Sequence, residues 1–300
     1  SPEAVGDALD QISGEQVTAQ QTTAIDFSSA QLLNVGARLR AVRMGAKGFS
    51  TSGLNLSSPD VGAPLSAIAS LGKVLIGEGG ASGDEDGALL DSRLGIFMNG
   101  SVRWGSKDAT SRESGFDFDS QGVTLGADYR FTDSFVGGLA LGYASADVDF
   151  DSRGGSQDSA SYSGSVYGSW YGDSGYIDTI VSYGQVDYDM VRNIEIATLD
   201  ISDTALGETD GTQWAVGLGT GYDFGTGALR FGPTGSVSYI RVDVDGFTEQ
   251  TTGTSGLAMR FADQTGESLM IKVGGQAAYV INRKWGILSP QARVDFVHET

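Results

Sequence analysis

The sequence is notable first for what it lacks: it has no cysteine, one histidine, five prolines in 300 residues, and no apolar run of 18 or more residues. A transmembrane helix needs about 20 consecutive apolar residues, so hydropathy excludes a helical membrane span. Without cysteine the chain forms no disulfide, which fits an envelope protein that needs none.

Basic residues are also scarce. The chain has 19 lysines and arginines against 38 aspartates and glutamates, which gives a formal net charge of −19. A nucleic-acid partner is therefore excluded, because no basic stripe is available to replace phosphate counterions. The single histidine, His298, is the one candidate base for nucleophilic catalysis, and a residue at a rim or in a lumen is the better interpretation. The sequence predicts no catalytic residue, no cofactor and no metal site.

Glycine is abundant, at 45 residues, and it alternates with large apolar residues. The segment Gly122–Tyr143 shows this most clearly. Apolar residues fill every second position on both sides of the turn at Thr132–Ser134, and a period of two is typical of a β-hairpin. The apolar positions are Val123, Leu125, Ala127, Tyr129, Phe131, Phe135, Leu139, Leu141 and Tyr143.

The second face of this hairpin carries glycine, alanine, threonine and charge, so it cannot face a dry core. Gly126, Asp128 and Gly138 belong to it. The apolar face is then the outer one, and a bilayer is the solvent that requires this arrangement. By the same alternation we expect these residues to face a lumen: Asp128, Arg130, Asp178, Asp223, Lys272, Gln276 and Arg293.

After Leu90 the pattern repeats, and it predicts about nine strands. Their expected bounds are 91–105, 120–131, 134–150, 159–171, 175–192, 211–225, 227–246, 265–282 and 284–299. The connections alternate between very short and long. The long, polar ones are expected at 105–120, 149–160, 193–211 and 245–266. Short turns on one rim and long loops on the other are typical of an outer-membrane β-barrel.

Aromatic residues near the strand ends support the same interpretation, because aromatic rings prefer the headgroup boundary of a bilayer. We expect a lipid-interface girdle formed by Trp104, Tyr129, Tyr143, Trp170, Tyr176, Tyr222 and Trp285. The acidic residues of the predicted loops could meet divalent cations that bridge lipopolysaccharide. No loop has the ligand spacing of a calcium motif, so solvated surface charge is favoured.

Three regions are predicted along the chain. Residues 1–50 form a helical segment before the barrel, with a stripe of apolar residues at helical spacing and an arginine cluster at its end. Residues 51–89 form a flexible linker, and residues 90–300 form the barrel. The fold class is all-β: a transmembrane antiparallel up-and-down barrel preceded by an N-terminal helical segment.

Several motifs resemble the translocator β-domain of bacterial autotransporters, the type V secretion proteins. The resemblance covers residues 90–300, and extends more weakly to residues 8–15. It rests on the order and spacing of short aromatic and glycine-rich motifs. These include Leu94–Ser101, Gly115–Asp119, Leu125–Thr132, Gly142-Tyr143, Asp210–Gln213, Gly221-Tyr222, Pro290–Arg293 and Val297–Glu299.

This resemblance implies a barrel of twelve strands in the outer membrane, plugged by a helix that leads to an N-terminal passenger at the cell surface. It also implies contact with outer-membrane lipid and lipopolysaccharide, the barrel assembly machinery and periplasmic chaperones. About nine strands are expected here, whereas bacterial single-chain barrels have even numbers of strands. We therefore expect a fragment that begins inside a longer chain and lacks about three strands of the barrel.

Two other functions stay open. A stand-alone porin or structural barrel would have the same strands, and a surface enzyme anchored by the barrel would hold its chemistry in the passenger. Some members of the family cleave their passenger inside the barrel with a helix asparagine and lumen acids. Asn34, Asp128, Asp178 and Asp223 are the residues available here, and their pattern does not carry those roles over.

Overall fold

The computed structural model describes most of the chain. The described residues are 16–46, 48–57, 93–107, 116–150, 154–196, 201–226, 229–253, 255–279, 281–283, 286–288 and 291–300. One helix, α1, spans Gln16–Arg43. It confirms the helical segment that the apolar stripe predicts, while residues 1–15 of that segment lie outside the described part of the chain.

Fourteen strands follow the helix in the described residues. They are β1 Gly48–Ser57, β2 Leu94–Lys107, β3 Phe116–Thr132, β4 Phe135–Phe150, β5 Gly155–Tyr171, β6 Gly175–Ile196, β7 Ile201–Tyr222, β8 Phe224–Thr226, β9 Leu229–Val244, β10 Gln250–Thr251, β11 Gln264–Tyr279, β12 Ile281–Arg283, β13 Gly286–Leu288 and β14 Gln291–Glu299. The main sheet has the order β1-β2-β3-β4-β5-β6-β7-β9-β11-β14. From β2 onward each long strand pairs antiparallel with the next, as predicted.

Strand β1 differs from the prediction. It lies at residues that the sequence analysis placed mainly in a flexible passage, and it pairs parallel to β2, with Phe49 opposite Ile96. Backbone hydrogen bonds to an edge strand depend little on side chains. A segment rich in serine and glycine can therefore form a strand without showing an apolar period. The remaining linker residues, 58–89, lie outside the described residues.

The long connections after β4 and β6 also differ from the prediction. The β4–β5 ladder continues to Phe150 opposite Gly155, and the β6–β7 ladder continues to Ile196 opposite Ile201. Polar residues there mark strands that leave the bilayer, where the outer face meets water. The two rims are still distinct. We call the rim with the turns at 133–134 and 172–174 the turn rim, and the rim with residues 245–263 the loop rim.

The two faces of the sheet have the polarity that the alternation predicts. Leu125 and Leu141 are 53% and 70% exposed on the outer face, whereas Thr124 and Ala140 are buried on the inner face. The buried core lies between α1 and the inner face, and it includes Phe27, Val35, Leu39, Phe97 and Tyr188. Among the described residues, no helix is both long enough and apolar enough to span a membrane.

Exposed aromatic side chains form two rows on the outer face. Toward the loop rim the row contains Tyr143, Tyr162, Tyr183, Trp214 and Tyr239, and toward the turn rim it contains Tyr129, Phe131, Phe135, Trp170, Tyr222, Phe224 and Phe231. Aliphatic residues such as Leu139, Val166 and Leu218 separate them. Apolar bands with aromatic borders match the two interfaces of a bilayer.

The sequence-predicted girdle residues occupy several places. Trp104, Tyr129, Tyr143, Trp170 and Tyr222 are exposed on the outer face. Tyr176 corrects the prediction, because its ring lies on the inner face beneath the Arg43 guanidinium, 3.7 Å from Cζ to the ring centroid. Tyr176 shares the alternation of Asp178 and Ile180, whose side chains both point inward. The alternation therefore determines the side on which Tyr176 lies, and nearness to a strand end does not. Trp285 lies outside the described residues.

Candidate functional site

Helix α1 lies along the inner face of the sheet, on the side that the alternation assigns to the lumen, and contacts β1–β7, β9 and β11. Near its first turns, the Tyr188 hydroxyl donates to the Gln20 carbonyl oxygen at 2.9 Å, at a level close to the loop rim. At its last turn, Arg43 Nη1 donates to the Asp178 carboxylate at 2.5 Å, close to the turn rim. The N-terminal end of α1 therefore points to the loop rim and its C-terminal end points to the turn rim.

Within the described residues, three ion pairs join the helix to the wall. Near the loop rim, Arg103 of β2 pairs with Asp26 of the helix, and Ser120 also donates to Asp26 at 3.0 Å. Nearer the turn rim, Arg38 pairs with Asp128 and Arg43 pairs with Asp178. In these pairs the helix carries its acidic residue near the loop rim and its basic residues near the turn rim. The wall residues have the opposite order of charge. A helix inserted in the reverse direction would meet like charges.

The Arg38 guanidinium occupies a pocket built for it. Its Nε and Nη2 donate to the two carboxylate oxygens of Asp128 at 2.6 and 3.0 Å, and Nη1 donates to the Ser50 hydroxyl. The Tyr167 hydroxyl donates to the same carboxylate at 3.2 Å, and the Phe97 ring centroid lies 5.5 Å from Arg38 Cζ. The two charged side chains are 0% and 4% exposed, so the pair is fully enclosed.

A chain of buried hydrogen bonds runs between the middle of α1 and the wall. Thr124 donates to Gln31 Oε1 at 2.7 Å, and Gln31 Nε2 donates to Ser165 at 2.9 Å. Asn34 Nδ2 donates to Thr124 at 3.0 Å, and Asn99 donates to the Asn34 carbonyl oxygen at 2.7 Å. Buried polar groups are costly unless they are paired, so these partners allow a polar helix to sit in a polar lumen.

Glycines in the wall make room for helix side chains. A Cβ at Gly95 would meet the Arg38 guanidinium, and a Cβ at Gly142 would meet the Gln31 amide. A Cβ at Gly266 would come within 3.1 Å of Gln21 Oε1. The small inner residues that the sequence shows are therefore places where the helix approaches the strands.

The seven predicted lumen residues all lie on the inner face. Asp128 and Asp178 hold the helix arginines, Asp223 accepts from Gln276 at 2.8 Å, and Arg293 donates to Asp295 at 2.6 Å. Arg130 lies beside Arg38 near the turn rim, and Lys272 lies between the exposed Ile271 and Val273.

Sequence reasoning missed the partnership of Asp26 with Arg103. The only signal was that Arg103 shares the strand alternation of Gly95 and Phe97. His298 pairs opposite Ile271, whose side chain is exposed, so it lies on the outer face. Within the described residues, no group of three or more acidic, histidine or cysteine side chains is arranged to hold a metal ion.

Comparison with known proteins gives one family. The model of the autotransporter β-domain matches residues 96–300. Among solved structures, the β-domain of the Bordetella autotransporter BrkA is similar with a TM-score of 0.53 and 21% identity, over 69% of this chain and 79% of that one. The translocator domain of NalP from Neisseria meningitidis is similar with a TM-score of 0.50 and 19% identity, over 60% and 61%. At these identities the two structures support the fold alone.

Curated relatives are longer than this chain. Esterase EstA of Pseudomonas aeruginosa is 27% identical over 198 residues, which are 64% of this chain and 29% of that protein. The putative uncharacterized protein YaiT of Escherichia coli is 25% identical over 222 residues, 70% of this chain and 22% of that protein. The chain thus spans less than a third of the length of these relatives.

Proposed function

This chain belongs to the autotransporter family as its outer-membrane translocator β-domain, and from that premise we propose that α1 is the resting end of an exported N-terminal passenger. The orientation of α1 carries this proposal. Its N-terminal end points to the loop rim, which in outer-membrane barrels faces the cell exterior. A passenger ahead of α1 would then emerge at the surface, and the ion pairs with Arg103, Asp128 and Asp178 would anchor it.

In this proposal the lumen residues act as a wall. The inner face offers hydrogen bonds and charges that a passing polar chain can exchange for water. The exported chain therefore needs no close apolar packing against the wall. Afterwards the same groups hold α1: Asp128 and Asp178 take its arginines, and Gln31 and Asn34 replace water in the buried network. We propose no catalytic activity for these residues, and any activity would belong to the passenger.

The outer face supports a proposal for assembly partners. Leu139, Leu141 and Val166 are 64%, 70% and 61% exposed, and such a surface would aggregate in water before it reaches lipid. We propose that periplasmic chaperones shield it and that the barrel assembly machinery inserts it. At the loop rim, the outer surface would meet lipopolysaccharide.

Thiol labelling on intact cells tests the proposal, and the absence of cysteine makes every introduced thiol unique. V35C places a thiol in the middle of the lumen, T252C places one at the loop rim, and D133C places one at the turn rim. With a membrane-impermeant maleimide we expect T252C to react. D133C should react only after the outer membrane is opened, and V35C only after unfolding.

Two outcomes would contradict the proposal. Labelling of V35C at the rate of T252C would place α1 outside the barrel. Labelling of D133C on intact cells would reverse the two rims. Planar-bilayer recording separates the rival porin function: a steady open conductance from protein with α1 in place would favour a channel, whereas a plugged lumen predicts a largely closed one.

A further inference from the structure

The Arg38 pocket differs from the other two ion pairs between helix and wall. Arg43 and Asp178 are 14% and 13% exposed, and Arg103 and Asp26 are 17% and 22% exposed. Arg38 and Asp128 are 0% and 4% exposed, so loss of the guanidinium with α1 in this register would leave a buried carboxylate without its bidentate partner, which is strongly unfavourable.

Most of this pocket belongs to the wall. Asp128 lies on β3, Tyr167 on β5 and Phe97 on β2, so neighbouring strands position the carboxylate, the hydroxyl and the ring. Gly95 and Gly138 keep the space open, because a Cβ at Gly95 would meet the guanidinium and a Cβ at Gly138 would lie 2.5 Å from the Tyr167 hydroxyl. The two parallel N–H donors of a guanidinium match a carboxylate, which a lysine ammonium cannot do.

The sequence of the exported segment makes Arg38 unique. The 37 residues that precede it contain no lysine and no arginine. None of those 37 residues can therefore supply a guanidinium to the pocket. The next arginine, Arg40, lies on the exposed side of the helix.

We propose that this guanidinium pocket sets the resting register of α1 along the lumen by accepting Arg38 and no other residue of the helix. The inference rests on the proposed function, since it needs α1 to be the end of an exported segment. It adds that the position of α1 along the lumen is chosen by one positioning residue, while the other contacts stabilise a register already set.

A register shift tests this, because a merely stabilising ion pair would not produce one. Moving the guanidinium from position 38 to 42 keeps it on nearly the same helix face and displaces it by about 6 Å along the axis. If the pocket sets the register, α1 moves one turn toward the loop rim, and position 38 takes the level of Asn34. In the native register Asn34 contacts Thr124.

Two thiol pairs, 34–124 and 38–124, report the register through a short bifunctional thiol cross-linker. N34C/T124C reports the native register and should cross-link. R38C/T124C lacks the arginine, and its 38–124 product should be minor. R38C/V42R/T124C should make that product the major one. The matched control is R38C/V42K/T124C, which carries the positive charge without the two parallel N–H donors of a guanidinium. It should resemble R38C/T124C.

The outcomes separate the two proposals. If N34C/T124C does not cross-link, α1 is not in the lumen and the proposed function fails. If N34C/T124C cross-links but V42R leaves the 38–124 product minor, or V42K raises that product equally, the guanidinium pocket does not set the register of α1.

A second measurement covers the case in which V42R does not fold. In R38A, methylguanidinium should raise the thermal transition of the barrel, while methylammonium should leave it unchanged. Equal effects of the two cations, or no effect of either, would overturn the pocket's role.

Discussion

Arg192 and Glu249 form a buried, two-pronged ion pair inside the loop rim, with Nε to Oε1 at 2.9 Å and Nη2 to Oε2 at 2.5 Å. Arg192 lies at the outer end of β6, and Glu249 belongs to the connection between β9 and β11. Arg192 also donates to the Leu257 carbonyl oxygen at 3.0 Å, and the Met259 N–H donates to Glu249 at 2.9 Å. One ion pair thus fastens residues 245–263 to the inner wall of the β6–β7 hairpin.

We expect E249Q to release this connection while the barrel stays folded. The change keeps the side-chain shape but removes the carboxylate charge from the buried ion pair, and breaking a buried pair costs about 3–5 kcal/mol. Limited trypsin digestion reports the release as faster cleavage after Arg260. The control is D173N, since Asp173 is exposed in the turn after β5. Equal cleavage of E249Q and the parent protein would show that the backbone pairing of residues 247–261 suffices.

Asp203 makes the same connection sensitive to acid. Its carboxylate accepts from the Thr252 hydroxyl and from the Gly253 and Ser255 N–H groups, at 3.2, 2.7 and 3.2 Å. Hydrogen bonds from Ser255 and from these backbone groups hold the pKa of Asp203 below its ordinary value. A lowered pKa stabilises the folded connection above the ordinary aspartate pKa of about 4, and this contribution is lost as the pH falls further.

We therefore expect the Gly253 and Ser255 amides to lose protection from hydrogen exchange below about pH 4, after correction for intrinsic rates. D203N should show low protection at every pH, because it carries no charge to lose. A flat protection profile in the parent protein would contradict this account.

Five carboxylates form one continuous row on the outer face, between the loop rim and the aromatic row nearer to it. Asp119 lies opposite Asp147, Asp147 opposite Asp158, Asp158 opposite Asp189, and Asp189 opposite Glu208. Like charges directly opposite each other destabilise a sheet. Burial, then the charges of Asp147 and Asp189, raise the pKa of Asp158. The sign is opposite to that of Asp203, since a raised aspartate pKa costs stability at neutral pH and returns it as the pH falls.

The expected result is that D158N stabilises the protein by about 0.2–1 kcal/mol at neutral pH. The gain should shrink at high salt, because exposed charges are screened. Thermal unfolding at low and high salt measures it, with D173N in the turn after β5 as the control for removing one isolated charge. Destabilisation by D158N would mean that the row is held by a bound cation.

The sequence predicted the faces of the strands well because lipid and lumen impose opposite demands on successive residues. Leu125 and Thr124 differ so strongly in polarity that the alternation alone assigns their sides. The same rule places Asp128 and Asp178 inward. It could not show that these carboxylates meet Arg38 and Arg43, because partnership depends on how far the helix sits along the lumen, and no local pattern encodes that distance.

The errors have physical causes as well. Asp149 and Asp158 fall in the connection expected at 149–160. Outside the bilayer the outer face of a strand is polar too, so polarity cannot separate a loop from an extended hairpin. Strand β1 has no apolar period because an edge needs only backbone pairing. Tyr176 was placed by its nearness to a strand end, whereas its alternation with Asp178 determines its side.

Glycine in the wall gives a sharper test of how the lumen is fitted to the helix. A Cβ at Gly142 would meet the Gln31 amide and would lie 2.6 Å from the Ser163 hydroxyl. Gln31 could move away only by losing its hydrogen bonds to Thr124 and Ser165. Gly164 is a matched position on the neighbouring strand, where a Cβ would lie 4.0 Å from Leu141 Cδ2 on the outer face.

We expect G142A to destabilise the folded protein by about 1–3 kcal/mol through overpacking, and G164A to be close to neutral. Thermal unfolding of both variants measures the difference. The same comparison in protein from which residues 16–43 are deleted isolates the helix contribution: the cost of G142A should fall once Gln31 is gone, whereas the clash with Ser163 would persist. If G142A is equally destabilising without the helix, Gly142 is needed for packing between strands. That result would contradict the view that small inner residues make room for the helix.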